Sequence, residues 1–287
     1  MKSLRYFLFI ILLIFITSCE QNTVSKGDLF IIGGGSRPDY MIEKIVELAG
    51  GQTAHIMIIP NASGSPIEVA QYQQNQFEQT VAASVSYLLC DSAEANLDTN
   101  VDKLKNTNCI FFSGGDQRRL TRDLLDTKIL AKIKEIYNRG GVISGTSAGA
   151  AVMSELMITG DELIDTTDDE KFISIKEDYI KTTPGFGFVK NAIIDQHFVK
   201  RKRLNRLISL VIEHQTLGIG IDESTAIHVK PNLECEVIGE NTVLILDGTK
   251  IKNIKTDSNG NLSAQNIHID ILQSGQTYNL KDHKINL

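Results

Sequence analysis

Short apolar runs alternate with longer amphipathic segments through the first half of the chain, a pattern that predicts strands alternating with helices. The predicted strands cover residues 29–32, 55–59, 85–89, 109–112 and 142–144. The predicted helices cover residues 40–49, 68–80 and 120–139. Because the strands are apolar throughout, we expect helices to cover both faces of the sheet. The pattern therefore predicts a three-layer α/β fold with a mostly parallel sheet.

The pattern changes near residue 225, where short β-type runs separated by tight turns replace the helices. These runs cover residues 226–229, 235–238, 242–246 and 267–272. They predict antiparallel strands, over about residues 225–287, that extend the same domain. Residues 161–183 are charged and lack a clear period, so they predict a surface loop, with a lid as the alternative.

The N-terminus differs from the rest of the chain in composition. Lys2 and Arg5 precede an unbroken apolar run over residues 6–16, and Ser18 is followed by Cys19. This layout is typical of a lipoprotein signal peptide, with ordinary signal cleavage as the alternative. We therefore expect a signal peptide over residues 1–18, lipidation at Cys19, a polar leader over residues 19–26 and one domain over residues 27–287. The protein would be exported and anchored to a membrane, in the periplasm or on the cell surface.

Composition narrows the classes of partner. A net charge of −6 and the absence of Trp argue against a nucleic acid. The cysteines show no metal-ligand spacing, so we expect no bound metal, while a Cys90–Cys235 disulfide stays open. Gly33-Gly-Gly35 is a poor nucleotide motif, because Pro38 stands where a small third residue is wanted. The sequence predicts no cofactor and leaves a homodimer open.

One serine in the middle of the chain stands between two glycines, in Gly145-Thr-Ser-Ala-Gly149. The segment follows a predicted strand and precedes a predicted helix that runs through Met157. A strand–turn–helix context is what a Gly-x-Ser-x-Gly nucleophile turn requires. We expect the two glycines to leave room for the Ser147 side chain. The alternative is a tight turn in which Ser147 only caps the helix.

A nucleophilic serine needs a histidine as base and a carboxylate that orients the histidine. His197 follows a short apolar strand and lies among polar residues, so it is the candidate base. Asp195, Asp222 and Glu223 all lie near predicted strand ends, and spacing does not choose between them.

Further candidates for the site also follow predicted strands. Gly115 follows the strand at residues 109–112, and its N–H and that of Ala148 are candidate oxyanion donors. Gln117 is expected to line the same cleft. The basic cluster at residues 200–206 is either a solvated helix face or a clamp for substrate carboxylates.

Together these motifs resemble the cyanophycinase family of serine peptidases, which is related to the aspartyl dipeptidases. The resemblance extends from about Gly27 to Val229 and is looser beyond. The matching segments are Ser113-Gly-Gly-Asp-Gln117, Gly145-Thr-Ser-Ala-Gly-Ala150, Pro184-Gly-Phe-Gly187, Asp195-Gln-His-Phe198 with Arg201, Arg203 and Arg206, and Gly220-Ile-Asp-Glu223.

The resemblance implies a fold related to the flavodoxin-like and glutamine-amidotransferase-like domains. It implies Ser147 as nucleophile, His197 as base and Glu223 as the orienting acid. It also implies a substrate pocket shaped by Gln117, Asp195, Gln196, Arg201, Arg203 and Arg206. The implied activity is an exopeptidase that hydrolyses β-aspartyl–arginine linkages in cyanophycin through an acyl-enzyme.

Several features depart from the family or favour another function. Pro60-Asn-Ala-Ser63 stands where the family has Pro-Thr-Ala-Ser. Export favours a peptidase for other aspartate-containing peptides, since cyanophycin is an intracellular store. A non-catalytic surface binding lipoprotein on the same scaffold is a further alternative. An α/β-hydrolase esterase would need its histidine after the acid, where His268 and His283 are available.

Overall fold

The computed structural model describes residues 25–162 and 173–286. The predicted signal peptide, Cys19 and most of the polar leader lie outside these residues. Within them, no helix is long and apolar enough to cross a membrane.

The strands fall into two large sheets and two hairpins, and the helices cover the sheets. In the described residues the strands are β1 (Asp28–Ile32), β2 (His55–Ile59), β3 (Ser84–Tyr87), β4 (Cys109–Phe112), β5 (Val142–Thr146), β6 (Leu156–Glu162), β7 (Ile180–Pro184), β8 (Ala192–Gln196), β9 (Leu217–Ile221), β10 (Thr225–Val229), β11 (Glu234–Gly239), β12 (Val243–Asp247), β13 (Lys252–Thr256), β14 (Leu262–Gln265), β15 (His268–Leu272), β16 (Thr277–Asn279) and β17 (Lys284–Asn286). The α-helices there are α1 (Asp39–Leu48), α2 (Pro66–Glu78), α3 (Asp98–Asp102), α4 (Gln117–Leu124), α5 (Lys128–Asn138), α6 (Ala148–Ala151) and α7 (Leu204–His214), with short 3-10 turns at Gly51–Thr53 and Glu94–Asn96.

The larger sheet has nine strands in the order β17-β16-β11-β10-β1-β5-β4-β2-β3. Strands β1 to β5 pair in parallel, and the strands from β10 onward add to β1 antiparallel. Alternate residues of β1 face opposite sides: Phe30 packs with α1 and α2, whereas Leu29 packs with α4 and α5. The predicted α/β fold with C-terminal antiparallel strands is confirmed.

A second sheet of four strands, in the order β15-β12-β9-β8, was not predicted as a separate sheet. Its two parallel strands, β8 and β9, end at Gln196 and Ile221. One face of this sheet packs on α7, and the other joins the main core. Because the carboxyl ends of β8 and β9 lie side by side, the residues that follow them are brought together.

The predicted helix over residues 120–139 is wrong, because two helices occupy this region. Asp126 has a φ of 59°, which a continuous helix does not allow. The Thr127 hydroxyl accepts a hydrogen bond from the Leu130 N–H at 3.3 Å and caps α5. Apolar spacing continues across the break, so periodicity alone missed a local capping signal.

The predicted helix from the serine turn through Met157 is also too long. α6 ends at Ala151, and Met157 lies in β6. β6 pairs antiparallel with β7, so part of the predicted loop over residues 161–183 is a hairpin strand. A short apolar run is compatible with either a helix or a strand, which explains the error. Residues 163–172 of that loop lie outside the described part.

The three described cysteines are buried and free. The disulfide between Cys90 and Cys235 that the sequence left open is therefore not formed. Burial raises the pKa of Cys90 to about 11 and that of Cys109 to about 12, so these thiols stay protonated and behave as small core residues.

Candidate active site

Ser147 lies on a strained turn between β5 and α6. Its φ is 54° and its ψ is −109°, values that a non-glycine residue rarely adopts. The Ser147 N–H donates to the Ile32 carbonyl at 3.0 Å, which ties the turn to the carboxyl end of β1. Its side chain makes no capping hydrogen bond to α6. The serine therefore does not act as the inert helix cap considered as the alternative.

The flanking glycines serve a different purpose from the one predicted. A Cβ on Gly145 would lie 2.6 Å from the Gly149 carbonyl oxygen, and a Cβ on Gly149 would lie 2.3 Å from the Phe112 carbonyl oxygen. They let α6 pack directly on β4 and β5. It is Gly114 that faces the serine, since its Cβ would lie 3.4 Å from that of Ser147.

Ser147 and Glu223 bind opposite nitrogens of the same imidazole. The Ser147 Oγ lies 2.8 Å from the His197 Nε2, and the His197 Nδ1 lies 2.6 Å from the Glu223 Oε1. An ionised carboxylate only accepts hydrogen bonds, so Nδ1–H donates to Glu223 and Nε2 accepts from the serine hydroxyl. This is the arrangement of a nucleophile, a base and an orienting acid.

The other two carboxylates considered for the orienting role point elsewhere. Asp222 accepts a hydrogen bond from the Lys200 N–H at 3.0 Å. Asp195 is buried and binds the Arg206 guanidinium. Adjacent residues at the end of β9 thus face different directions, which the spacing did not resolve.

Burial lowers the pKa of His197 below its ordinary value of 6.5. The hydrogen bond with Glu223 raises that pKa, and the positive charges of Arg201 and Arg203 lower it. The net shift is downward, so the imidazole is neutral at neutral pH. That is the protonation state that a general base requires.

A three-glycine turn after β1 holds the histidine and the acid, and the sequence reasoning missed this role. The His197 N–H donates to the Gly33 carbonyl at 2.8 Å, and the Ser224 N–H donates to the Gly34 carbonyl at 2.9 Å. A Cβ on Gly34 would lie 2.3 Å from the His197 Cε1, and one on Gly35 would lie 2.8 Å from the Glu223 Cβ. Three consecutive glycines at a strand end were the available signal for such close backbone contact.

The candidate oxyanion donors lie on either side of the serine. Ala148 directly follows Ser147, and Gly115 follows Gly114, which faces the serine. Among the described residues, neither the Gly115 N–H nor the Ala148 N–H has a hydrogen-bond acceptor. Gly115 has a φ of 139°, and a Cβ there would lie 2.1 Å from the Ala62 carbonyl oxygen. Glycine is therefore required at this position.

The predicted pocket residues divide into buried and exposed groups. Gln117 is buried and donates through Nε2 to the Ile158 and Thr159 carbonyls at 2.8 and 3.0 Å. It thus holds the β6–β7 hairpin beside the serine turn. Arg201 is exposed, and its side chain makes no hydrogen bond to another described residue.

The remaining four predicted pocket residues bind one another next to His197. Arg206 and Asp195 form a buried two-point ion pair, each about 1% exposed. The Arg203 guanidinium donates to the Gln196 side-chain oxygen at 2.8 Å and to the Gln196 carbonyl. These contacts fix the backbone on both sides of the base. In this structure only Arg201 of the three arginines presents its side chain to solvent.

Comparison with known proteins agrees with this geometry. The family model described as Peptidase family S51 matches residues 29–233. The chain belongs to peptidase family S51. It is therefore a hydrolase of the peptidase class, and the resemblance drawn from the motifs is confirmed.

The similar S51 proteins include several cyanophycinases. The chain is 31% identical over 275 residues to the cyanophycinase of Synechococcus elongatus, which covers 93% of this chain and 83% of the relative. It is 32% identical over 268 residues to that of Geminocystis herdmanii strain PCC 6308, covering 90% of this chain and 96% of the relative.

Solved structures of peptidases share the fold. A peptidase from an acI-B1 Actinobacterium superposes with a TM-score of 0.65 at 23% identity, covering 90% of this chain and 98% of that one. A putative peptidase E protein from Listeria monocytogenes EGD-e gives a TM-score of 0.50 at 17% identity, covering 75% of this chain and 98% of that one.

Proposed function

We propose that this S51 peptidase is a cyanophycinase-like serine exopeptidase that hydrolyses β-aspartyl–arginine linkages through an acyl-enzyme. One observation carries the proposal: the His197 imidazole makes two short hydrogen bonds, one with Ser147 on its strained turn and one with Glu223. Cyanophycinases among its relatives support the substrate class. The chain order of serine, histidine and then acid does not fit the esterase alternative.

In the proposed reaction the His197 Nε2 takes the Ser147 hydroxyl proton as Oγ bonds to the scissile carbonyl carbon. The carbonyl oxygen becomes an oxyanion, to which the N–H groups of Ala148 and Gly115 donate. The C–N bond then breaks, and His197 delivers the proton to the leaving nitrogen. Water then attacks the serine ester, and His197 takes its proton. When the C–Oγ bond breaks, His197 returns the proton to Ser147 and the acid product leaves. Glu223 holds Nδ1–H throughout and stabilises the imidazolium.

Substrate recognition in this proposal begins with Arg201. Its guanidinium is exposed, lies close enough to His197 to lower the pKa of the imidazole, and suits a substrate carboxylate. Lys200 and Lys202 add positive charge on the same exposed segment. An aspartyl substrate offers a carboxylate to this segment.

Turnover of a matched panel tests the proposed substrate. The panel contains cyanophycin, the β-aspartyl-arginine dipeptide, its α-linked isomer and a short-chain chromogenic ester. We expect release of arginine-containing products from the β-linked compounds at the highest kcat/KM. Faster cleavage of the α-linked peptide would show that the enzyme prefers ordinary α-peptide bonds, and cleavage of the ester alone would favour the esterase alternative.

The depressed pKa of His197 predicts where activity is lost in acid. Because the neutral imidazole is the base and its pKa lies below 6.5, the midpoint of the acid loss of kcat/KM should lie below pH 6.5. Arg201→Gln removes a positive charge that lowers this pKa, so its acid limb should move to higher pH. A pH profile of kcat/KM for both proteins measures the shift. An unchanged midpoint would show that the charge of Arg201 does not affect the pKa of His197.

The contact between Gly34 and the imidazole predicts a loss of activity on substitution. In Gly34→Ala the new methyl would overlap the His197 ring, so the ring must move away from Ser147. A displacement of about 1 Å is expected to lower kcat about a hundredfold. Steady-state kinetics and the free energy of unfolding should be measured together.

Gly51→Ala is the matched control for Gly34→Ala. Gly51 also has a positive φ, 60°, but apart from its chain neighbours and the backbone of its own turn no described atom lies within 4 Å of the position that the new methyl would take. The control should lose some stability through backbone strain and keep its kcat. Equal kcat for the two variants would argue against a positioning role for the glycine turn.

We also propose that the protein is exported and anchored through a lipid on Cys19. The charged start, the apolar run and the small residues before Cys19 support this. Partitioning of the full chain and of Cys19→Ser between membrane and soluble fractions tests the anchor.

A further inference from the structure

The loop between β9 and β10, which carries the catalytic acid, is held in a strained conformation. Ser224 directly follows Glu223 and has a φ of 51°, a value that a non-glycine residue rarely adopts. Such strain persists only where the surroundings hold the backbone in place. The Ser224 N–H donates to the Gly34 carbonyl at 2.9 Å, and the Ser224 carbonyl accepts from the Glu240 N–H at 2.9 Å. The loop is therefore held between the glycine turn after β1 and the turn between β11 and β12.

Two side chains donate to the main-chain carbonyl of the acid residue itself. The Asn241 Nδ2 donates to the Glu223 carbonyl at 2.8 Å, and the Thr225 hydroxyl donates to it at 3.1 Å. The Thr225 Oγ1 in turn accepts from the Asn241 N–H at 2.9 Å. A carbonyl oxygen has two lone pairs, so these two donors use its full accepting capacity. Three hydrogen bonds thus join Glu223, Thr225 and Asn241.

Asn241 belongs to a part of the chain beyond the family match. The match to peptidase family S51 ends at residue 233, and Asn241 lies in the turn between β11 and β12. A glycine lets this turn approach the acid loop: Gly239 has a φ of 142°, and a Cβ there would lie 2.5 Å from the Ser224 carbonyl oxygen. The C-terminal antiparallel strands therefore contact the loop that carries the acid.

The Glu223 carboxylate depends on its backbone for its position, because few contacts fix it directly. Within the described residues, its only hydrogen bond is the one that it accepts from the His197 Nδ1–H. The Glu223 side chain is 27% exposed, and its Cβ lies against the backbone of Gly35. A shift of the Glu223 backbone would therefore move the carboxylate relative to the imidazole.

We propose that Asn241 and Thr225 are positioning residues for the catalytic acid. By holding the Glu223 carbonyl, they keep the carboxylate within hydrogen-bond distance of the His197 Nδ1. The inference rests on the proposed role of Glu223. It gives the C-terminal strands a second task, because they complete the active site as well as extend the sheet.

A serine-directed reagent tests this inference without a peptide substrate. The probe is diisopropyl fluorophosphate: the Ser147 Oγ bonds to phosphorus and displaces fluoride, while His197 takes the hydroxyl proton. In full-length Asn241→Ala, we expect the second-order rate of Ser147 labelling to fall about tenfold, because a small displacement of the acid misaligns the base. Asn241 is exposed, so this variant should fold. Intact mass and peptide mapping follow the labelling, and kcat for the β-aspartyl-arginine dipeptide should fall in parallel.

The pH dependence of both rates separates positioning from a loss of stability. The hydrogen bond with Glu223 raises the pKa of His197, so a misplaced carboxylate should move the acid midpoint to lower pH in Asn241→Ala. Arg201 and Arg203, whose charges lower that pKa, are unchanged in the variant. A purely structural effect would lower the free energy of unfolding and leave the midpoint in place.

Thr225→Val and Thr225→Ser are a matched pair. Valine is close to threonine in shape but lacks the hydroxyl, so Thr225→Val should show the slower labelling and the shifted midpoint. Thr225→Ser keeps the hydroxyl and should stay close to wild type. Asn232→Ala is the control for Asn241→Ala, because Asn232 is exposed at the other end of β11 and its Oδ1 accepts the Glu234 N–H at 3.1 Å. This control should keep the wild-type rate and midpoint.

The outcomes separate the positioning role from the proposed activity. A wild-type rate and midpoint in Asn241→Ala would overturn the positioning role even if the wild-type protein hydrolyses the dipeptide. If the wild-type protein is labelled at Ser147 without hydrolysing the dipeptide, and Asn241→Ala is labelled slowly with the shifted midpoint, the proposed substrate fails and the positioning role stands. A wild-type protein that neither reacts at Ser147 nor hydrolyses the dipeptide would overturn the role of the acid and the positioning role with it.

Discussion

Replacement of Ser147 by alanine is expected to lower kcat for the β-aspartyl-arginine dipeptide about a millionfold, the scale seen when a serine peptidase loses its nucleophile. The Ser147 hydroxyl is the group on the strained turn that bonds the His197 Nε2. Without it no ester can form, and the base has no proton to take. Binding should change little, because the substituted group is small. Single-turnover and steady-state assays measure the loss.

Ser144→Ala is the control for this variant. Ser144 lies three positions earlier on β5, and its buried hydroxyl donates to the Phe30 carbonyl at 2.8 Å. Its loss should reduce stability by about 1 kcal/mol and leave kcat close to wild type. If Ser147→Ala retained wild-type turnover, another group would be the nucleophile.

Glu223→Gln is expected to lower kcat about ten-thousandfold while the fold stays intact. The carboxylate accepts the His197 Nδ1–H at 2.6 Å and so fixes the tautomer in which Nε2 is free to accept the serine proton. An amide has a donor in place of one acceptor, which allows the opposite tautomer. It also removes the charge that stabilises the imidazolium.

A second histidine–carboxylate pair serves as the control for Glu223→Gln. The His228 Nε2 lies 2.7 Å from the Asp28 Oδ1, at the start of β1 and away from the serine turn at its other end. Asp28→Asn makes the same type of change there and should leave kcat unaltered. A loss of activity in both variants, with lowered unfolding free energy, would point to folding instead of tautomer control.

The positions of polar residues after short apolar strands are sufficient to locate the candidate site from the sequence. Ser147 follows β5 of the nine-stranded sheet and His197 follows β8 of the four-stranded sheet, and in α/β folds the residues that meet a ligand lie just beyond the carboxyl ends of strands. The acid could not be chosen in this way, because Asp222 and Glu223 are adjacent. The turn after β9 points the two side chains in different directions, and only that of Glu223 reaches the imidazole.

Contacts between distant segments explain what the patterns missed. The glycines after β1 looked like a weak nucleotide motif, but they contact His197 and Glu223, which are far away in the chain. Arg206 and Asp195 looked like pocket residues and form a buried ion pair. Spacing along the sequence identifies charged residues that could reach a site, whereas the burial of Arg206 and Asp195 depends on how α7 packs against β8.

The order of residues alone determined the strand–turn–helix at Ser147, the parallel core and the candidate base, because hydrophobic period and glycine placement act over a few neighbouring residues. The folded chain decided which acid meets His197 and which of the three arginines stays exposed. Those features depend on the meeting of two sheets, and the distances that define them join residues that are far apart in the sequence.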